Sequence, residues 1–466
     1  MQHYTEILSD FVFSLKYSDL PCETVENTKK FILDWYSACF AGMRVNAVFN
    51  SAVRAVMLSG AQGGSAILCD GARRYSESDA AFMNAVYAHG ADMDDGNRLA
   101  MGHIGAHVIS AVLAVAENEG RKRKTFFSGE EVLIAIIAGY EVFNRVAASA
   151  QPGLVKRGFH STGVAGGIAC AAAVAKLLGL DREGIYNSLS LGALQSSGLI
   201  IIAESGQSAK PLNAANAARN GILSARMAQR NGIFAPRYPL ESEKGWFHAM
   251  TDCVNAEQIT DGLGTRYTVD ESYLKPYPSC RHTHAPIQIA LMLREEIRAA
   301  YGRLPLELID DIRVFTYENA IRIAGVNSVP RCSEDTKFSI QYALAYALIN
   351  GCFGLHALNM DALTEEAIGV ISKVRLISEP AMERANEGIR GARIEIVFSD
   401  GRMFSDTVLI PKGESTAPFS EADAMEKLRA CSEGILTEEQ ISALKAWVES
   451  FEKQEFISLN LPLGLQ

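Results

Sequence analysis

The hydrophobic residues of this chain recur with one period before Asp261 and with another after it. Before that point they recur at helical spacing, as in residues 21–42, which begin with Pro and end with Gly. After it, apolar and polar residues alternate as they do in strands, over 309–317, 373–377, 392–398 and 402–410. Because 466 residues also exceed one ordinary core, we predict two domains of different class.

The first predicted domain is all-helical. Ser128 and Glu131 form a capping box ahead of an apolar run. The Ala- and Gly-rich stretch 164–178 is typical of a buried helix that its neighbours approach closely. The tail, 421–456, is helical again and is expected to fold back onto this domain.

The second predicted domain is a smaller α+β unit with an antiparallel sheet. Its last two strands are joined by Asp400-Gly401, a strong signal for a tight hairpin turn. Helical patterns over 283–301 and 338–350 lie among the strands. The predicted fold is therefore mainly α, with an all-helical domain from 1–265 and 411–466 and an α+β domain from 266–410.

Charge and composition narrow the class of partner. The net charge of −10 argues against nucleic acid or an anionic membrane surface, although a local cationic pocket can still bind a small anion. The N-terminus lacks a basic region followed by an apolar one, and the best apolar run, 132–138, is too short to span a bilayer. The nine cysteines are scattered singly, as reduced thiols are. We expect a cytoplasmic protein with no membrane span.

The nine histidines cluster, and the first cluster runs from His89 to His107. It places Asp92 and its neighbouring carboxylates among glycines and imidazoles, which suits general acid–base chemistry because a carboxylate orients a histidine or shifts its pKa. The alternative is a cluster of turn and cap residues. His103 and His107 share a helix face, but they lack the intervening Glu of zinc proteases and a third ligand, so we predict no metal.

Two further clusters stand where helices are predicted to begin. His160, in the motif GFHSTG, opens the Ala- and Gly-rich helix, whose free N–H groups suit a carboxylate ligand. The alternative is that Ser161 or Thr162 only caps that helix. Lys210 precedes Pro211 at the start of another helix, where the alternative is an exposed, solvated lysine.

The fourth cluster lies in the segment 273–287, which contains three prolines. Its potential cations are Lys275, Arg281, His282 and His284. Several cations in a short, constrained loop would bind a di- or tricarboxylate well.

In their order and spacing, these motifs resemble the MmgE/PrpD family of 2-methylcitrate dehydratases and cis-aconitate decarboxylases. The resemblance is carried by AHxxDxDD, GHxG, GYE, GFHSTG, KPLxxxxAARNG, KPYPSCRxTH and FSIQYALA, and it runs over essentially the whole chain. It implies a homodimer of two-domain subunits, with a cofactor-free active site in the cleft between the domains. Its substrate is expected to be a small polycarboxylate.

The resemblance also implies the site residues. By position in the motifs, the catalytic residues are Asp92, His103, His160, Lys210 and Lys275. The lysines would bind carboxylate and stabilise charge, the histidines would form an acid/base pair, and Asp92 would orient one of them. Substrate binding is assigned to Arg98, Tyr140, Arg281, His282 and His284.

Two departures from the family pattern bear on the substrate. Gly96 and Asn97 follow the Asp pair where Thr or Ser is usual, and Asn213 replaces a frequent His. We therefore expect Arg98 to supply charge, and a substrate other than methylcitrate or cis-aconitate, such as a related polycarboxylate or an amino or imino diacid. The leading hypothesis is a lyase, with dehydration before decarboxylation. The alternatives are an epimerase or isomerase and a non-catalytic polycarboxylate-binding relative.

Overall fold

The computed structural model of the protein describes residues 3–57, 63–124, 126–204, 208–230, 232–384 and 389–464. The first part of the chain is helical. Its helices are α1 (Tyr4–Ser14), α2 (Cys22–Val45), α3 (Ala47–Met57), α4 (Glu77–Gly90), α5 (Gly105–Arg123), α6 (Gly129–Ser149), α7 (Gly153–Lys156), α8 (Ser161–Val164), α9 (Gly166–Leu177), α10 (Arg182–Leu194), α11 (Ile201–Glu204), α12 (Pro211–Ala228), α13 (Trp246–Met250) and α14 (Glu257–Thr260).

The later part of the chain mixes helices with strands. Its helices are α15 (His284–Tyr301), α16 (Glu318–Ala324), α17 (Ile340–Asn350), α18 (Glu365–Ile371), α19 (Glu421–Ser432) and α20 (Glu438–Glu449). The strands are β1 (Gly96–Asn97), β2 (Ser272–Tyr273), β3 (Ile309–Thr316), β4 (Val374–Ser378), β5 (Glu383–Arg384), β6 (Ile389–Arg390), β7 (Ala392–Phe398) and β8 (Met403–Val408).

Local signals in the sequence account for several of these boundaries. Helix α2 begins directly after Pro21, and α6 begins with the predicted capping box, in which Ser128 and Glu131 satisfy each other's backbone N–H groups. The predicted helix 164–178 is instead two helices, α8 and α9. They are separated only by Ala165, which keeps nearly helical torsion angles.

The sheet predicted for the second domain is present, with one difference in its topology. It has four strands in the order β4-β3-β7-β8. Strands β3, β7 and β8 are antiparallel as predicted, but β4 pairs parallel to β3, so the sheet is mixed. A parallel neighbour requires a crossover connection, and helices α16 to α18 lie between these two strands in the chain.

Two separate hydrophobic cores divide the described residues. One contains residues from Leu8 to Leu274 together with Phe419 to Leu463, and the other contains residues from Ala285 to Val408. Helix α19 packs against α2, so the tail folds back onto the helical part as expected. The helical core includes Tyr267, Val269 and Leu274, which the sequence assigned to the α+β domain, and the predicted domain boundaries stay a prediction.

Helix α6 is long and apolar enough, by composition, to cross a membrane. It extends well beyond the run 132–138 considered in the sequence, and 94% of its most apolar window is buried inside the protein. It packs against α5 and α9. Its apolar character is therefore accounted for by the core of the helical domain.

Candidate active site

The loop that follows α4 is held at its backbone carbonyls by side chains from distant parts of the chain. The Nζ atom of Lys275 donates to the carbonyl oxygen of Asp92 at 2.9 Å, and that of Lys427 donates to the carbonyl of Met93 at 2.7 Å. Lys337 donates to the carbonyl of Gly90 at 3.0 Å. These bonds hold Asp92 at φ +52°, in the left-handed region that a non-glycine residue rarely adopts.

Asp92 is a buried carboxylate shared by two lysines. Its Oδ1 atom lies 2.5 Å from the Nζ of Lys210 and 3.0 Å from the Nζ of Lys275, and all three side chains are buried. Burial alone would raise the pKa of Asp92, but the two lysines and His103 outweigh it and hold that pKa well below its ordinary value. Asp92 is therefore a permanent anion and a poor proton acceptor.

Two short elements bring the lysines to this carboxylate. Strand β1, just after Asp92, pairs antiparallel with β2, which ends two residues before Lys275. Lys210 is the N-cap of α12, with Pro211 at the first helical position, as the sequence predicts. The Nζ of Lys210 also lies 5.5 Å from the ring centroid of Phe338, which covers it from the second domain.

His103 is a neutral imidazole whose proton can be assigned. Its Nδ1 atom lies 2.8 Å from the carbonyl oxygen of Asp95, which can only accept a hydrogen bond, so Nδ1 carries the proton. Burial, with the positive charges of Lys275 and Lys210, lowers the pKa of His103 to about 4 against the opposing effect of Asp94. Its Nε2 atom, 3.7 Å from Asp92 Oδ1, is therefore unprotonated at neutral pH.

His160 has the opposite protonation pattern. It is the N-cap of α8, and its Nδ1 atom accepts from the Nδ2 of Asn213 at 2.9 Å. A neutral ring that accepts at Nδ1 carries its proton on Nε2. Burial and the charge of Lys210 hold the pKa of His160 well below its ordinary value, so the ring is neutral.

One cavity collects most of the residues that the sequence identified. It is lined by Asp92, His103, His160, Lys210, Lys275, Arg281 and His282. Asp92 is the single carboxylate among its lining residues in the described ranges, against two lysines and the guanidinium groups of Arg281, Arg322 and Arg390. The cavity thus suits a ligand with several negative charges.

Three of the predicted binding residues do not line this cavity. Arg98 forms an ion pair with Glu414 at 3.2 Å. His284 uses both ring nitrogens, accepting from Arg281 at Nδ1 and donating from Nε2 to the carbonyl of Ser279. Both residues are therefore already partnered.

The third, Tyr140, is buried behind the loop, where its hydroxyl donates to Asp95 Oδ2 at 2.6 Å. Asp95 also accepts from the backbone N–H of Gly105 at 2.8 Å. Burial raises the pKa of Asp95 to about 7, although these hydrogen bonds oppose the shift. Tyr140 therefore does not contact the cavity. It contacts the side chain of Asp95, and the backbone carbonyl of Asp95 contacts His103, which lines the cavity.

Arg281 lines the cavity, but its guanidinium is saturated. It donates to Glu414 Oε1 from Nε and Nη2, and to the carbonyls of Pro411 and Lys412. Glu414 therefore neutralises a residue that the sequence analysis counted among the potential cations. His282, the last of the five predicted binding residues, lines the cavity and shares a short hydrogen bond with the hydroxyl of Tyr317.

Several residues of the site were not identified from the sequence. Lys427 and Lys337 hold the loop, and Arg322 and Arg390 line the cavity. Lys337 had a signal, since it begins the motif KFSIQYALA. The others are single cations in ordinary helical or strand sequence, and only the tertiary fold shows that they converge.

His103 and His107, the two histidines that the sequence analysis considered as metal ligands, both form hydrogen bonds within the protein. His107 donates from Nε2 to the carbonyl of His103, and its Nδ1 lies 3.3 Å from the Sγ of Cys170. A different group, His89, Asp94 and His103, offers ligand atoms within 4.8 Å of one another. There, Asp94 Oδ2 lies 2.8 Å from His89 Nδ1, and a metal would have to displace the proton that His103 donates to Asp95. We interpret this group as a hydrogen-bonded relay.

Two family models match the chain. Residues 6–258 match the MmgE/PrpD N-terminal domain, and residues 277–453 match the MmgE/PrpD C-terminal domain. The chain belongs to the MmgE/PrpD family. The resemblance found in the motifs is therefore confirmed, and so is the mainly helical fold with a smaller α+β part.

The similar proteins of known name are lyases. Human cis-aconitate decarboxylase is 27% identical over 470 residues, covering 98% of this chain and 94% of that protein. The cis-aconitate decarboxylase-like protein oryM of Aspergillus oryzae is 26% identical over 471 residues, covering 98% and 96%. The 2-methylcitrate dehydratase of Escherichia coli is 23% identical over 322 residues, covering 65% and 63%. The chain is thus an enzyme of a lyase family.

The two departures from the MmgE/PrpD pattern now have structural roles. Asn97 caps its own turn, because its Oδ1 accepts from the N–H groups of Leu99 and Ala100. Asn213, where many members of the family have His, sets the proton position of His160. Arg98 was expected to supply charge near the substrate, but its guanidinium pairs with Glu414 and does not line the cavity. Its backbone carbonyl instead accepts from Arg390 at 3.1 Å.

Proposed function

We propose that this enzyme is a cofactor-independent lyase that removes water, or less readily carbon dioxide, from a small tricarboxylate. The observation that carries the proposal is the pair of neutral histidines with opposite tautomers on one cationic cavity. His103 offers an unprotonated Nε2 and His160 offers an Nε2–H, so a base and an acid stand ready together.

In the dehydration, His103 would remove the proton α to a carboxylate. The electron pair left on carbon would be stabilised through that carboxylate by Lys210 and Lys275. Formation of the double bond would then expel hydroxide from the neighbouring carbon, protonated by His160 as water. The products would be the unsaturated acid and water, with one proton gained by His103 and one lost by His160.

Asp92 supports this chemistry as a fixed charge. It is held ionised between the two lysines, so both remain ion-paired and oriented before substrate enters. Its role in the proposal is to position the lysines, because its lowered pKa makes it a weak base. The lysines would supply the charge stabilisation that a metal supplies in other enzymes of carboxylate chemistry.

An epimerase is the second candidate, and one observation favours it. Two neutral histidines, one protonated and one unprotonated toward the cavity, are also what a two-base epimerase needs on opposite sides of a carbon. Such an enzyme would exchange the α-proton without loss of mass. The proposal includes the homodimer and the cytoplasmic location that the family resemblance and the composition imply.

The test is turnover of a panel of tri- and dicarboxylates, followed by absorbance of the unsaturated product and by release of carbon dioxide. We expect turnover of a tricarboxylate by the unmodified protein and a fall in kcat of about 100-fold or more in His103→Gln and in His160→Gln. His248→Gln, outside the cavity, is the matched control. Near-normal kcat in both site variants, with the fold intact by circular dichroism, would remove the histidines from the mechanism.

A further inference from the structure

Arg390 is a buried cation that has no counter-ion among the described residues. Its side chain is 8% exposed, and it lies on strand β6 in the second domain. Within the described ranges of the chain, no carboxylate lies at ion-pair distance from its guanidinium. Glu383 and Glu414 act on it only through space. A buried charge normally has a partner, because leaving water is costly.

The hydrogen bonds of Arg390 are equally incomplete. Nη2 donates to the carbonyl of Arg98 at 3.1 Å, which fixes the plane of the guanidinium. Nε is buried and has no hydrogen-bond partner, and Nη1 donates to none of the described residues. The Nε–H and Nη1–H groups point to different sides of the planar guanidinium, and within the described residues neither has an acceptor.

Arg390 lines the same cavity as the catalytic residues. Arg281 also comes from the second domain and lines the cavity. Its guanidinium donors are already used by Glu414 and by backbone carbonyls. The contrast separates the two roles: Arg281 holds the structure together, and Arg390 retains free donors.

We propose that Arg390 binds a carboxylate of the substrate that lies away from the reacting carbons, and so selects tricarboxylates over dicarboxylates. This assignment rests on the proposed function only in taking the occupant to be the substrate's own carboxylate. The lysines at Asp92 bind the reacting carboxylate, and the unpartnered Nη1 donors of Arg390 bind the remote one.

The test uses inert ligands, so that it does not depend on turnover. Tricarballylate has three carboxylates and no hydroxyl group, and glutarate and methylsuccinate each lack one of those carboxylates. Affinities are measured by calorimetry for the unmodified protein, for Arg390→Gln and for Arg384→Gln. Arg384 is the exposed control on the paired strand β5.

We expect Arg390→Gln to weaken tricarballylate by about 30-fold or more, as loss of a buried charge-assisted contact does. At least one of the two diacids should change by less than about 3-fold, and Arg384→Gln should leave all three within about 2-fold. Equal losses for all three acids in Arg390→Gln would overturn the proposal. So would tighter, Arg390-dependent binding of inorganic phosphate than of tricarballylate.

A second readout guards against misfolding. Because the guanidinium forms no ion pair with the described residues, Arg390→Gln should melt at the same temperature as the unmodified protein or higher. Tricarballylate should raise the melting temperature of the unmodified protein and of Arg390→Lys, which keeps the charge, more than that of Arg390→Gln. A large loss of ligand-free stability in Arg390→Gln would mean a structural role and contradict the proposal. If tricarballylate bound selectively through Arg390 but no acid were turned over, the Arg390 subsite would stand and the proposed lyase activity would be wrong.

Discussion

His103 and His160 differ in which ring nitrogen carries the proton. His103 donates from Nδ1 to a backbone carbonyl, and His160 accepts at Nδ1 from an amide. In the proposed mechanism, these two hydrogen bonds decide which ring acts as base and which as acid, although the rings have the same chemistry in solution. The sequence places both residues but cannot show which atoms they meet, because the partners are Asp95 in the same loop and Asn213 on a distant helix.

The lowered pKa of His103 has a measurable consequence. Carbon-13 NMR of labelled histidine, assigned with His103→Gln, should show this ring titrating near pH 4 and not near its ordinary pKa of about 6.5. Activity that needs the unprotonated ring should then persist down to that region. Titration near 6.5 would contradict the assignment of His103 as a buried neutral base.

The same shift affects stability. Between pH 6.5 and pH 4 the unfolded chain binds a proton that folded His103 refuses, so the free energy of unfolding should fall as the pH falls through this window. Circular dichroism at each pH therefore accompanies the titration. The fall should be smaller in His103→Gln than in the unmodified protein, and an equal fall in the two proteins would argue against a lowered pKa of His103.

Asn213 should control catalysis through His160. Asn213→Leu removes the donor to Nδ1, so we expect kcat to fall about 10- to 100-fold, with KM changed by less than about 3-fold. Nitrogen-15 NMR should show the proton of His160 on Nε2 in the unmodified protein and a mixture of tautomers in the variant. Asn216→Leu, one turn along α12, is the control. An unchanged tautomer in Asn213→Leu would refute this role.

The elements that position the site depend on small residues. Helix α12 carries Lys210 and Asn213 at its start and packs against α9, and Gly221 permits their close approach. A Cβ at position 221 would overlap the Cβ of Cys170 and lie 2.8 Å from the backbone N of Ala171. The Ala and Gly composition of α9 predicted such a contact, but it could not identify the partner helix.

Gly221→Ala should therefore destabilise the protein. We expect a loss of about 1–3 kcal/mol in the free energy of unfolding from overpacking, together with lower kcat as α12 shifts. Gly369→Ala in α18 has open space around it and should instead gain up to about 1 kcal/mol from helix propensity. Urea unfolding measures both. If the two variants behaved alike, the close packing of α12 and α9 would not be what positions the site.

At the scale of the whole molecule, the two domains meet over one cavity. Lys210 and both histidines come from the helical domain, Arg390 comes from the α+β domain, and the carbonyl of Arg98 joins the two parts. Local signals in the sequence predicted many of the helices, the four strands of the larger sheet, the hairpin between β7 and β8, and the motif residues. They missed the parallel pairing of β4 with β3 and the pairing of Arg281 with Glu414, because both depend on contacts far apart in the chain.

The most direct test of the proposed lyase is incubation of the protein with tricarboxylates in deuterated water, followed by mass spectrometry. We expect one tricarboxylate to lose the mass of water, or of carbon dioxide, and His103→Gln to stop the loss. Uptake of deuterium without any loss of mass would contradict the lyase and make the protein an epimerase. Neither change with any acid, despite tight binding of one, would mean that the site binds polycarboxylates without converting them.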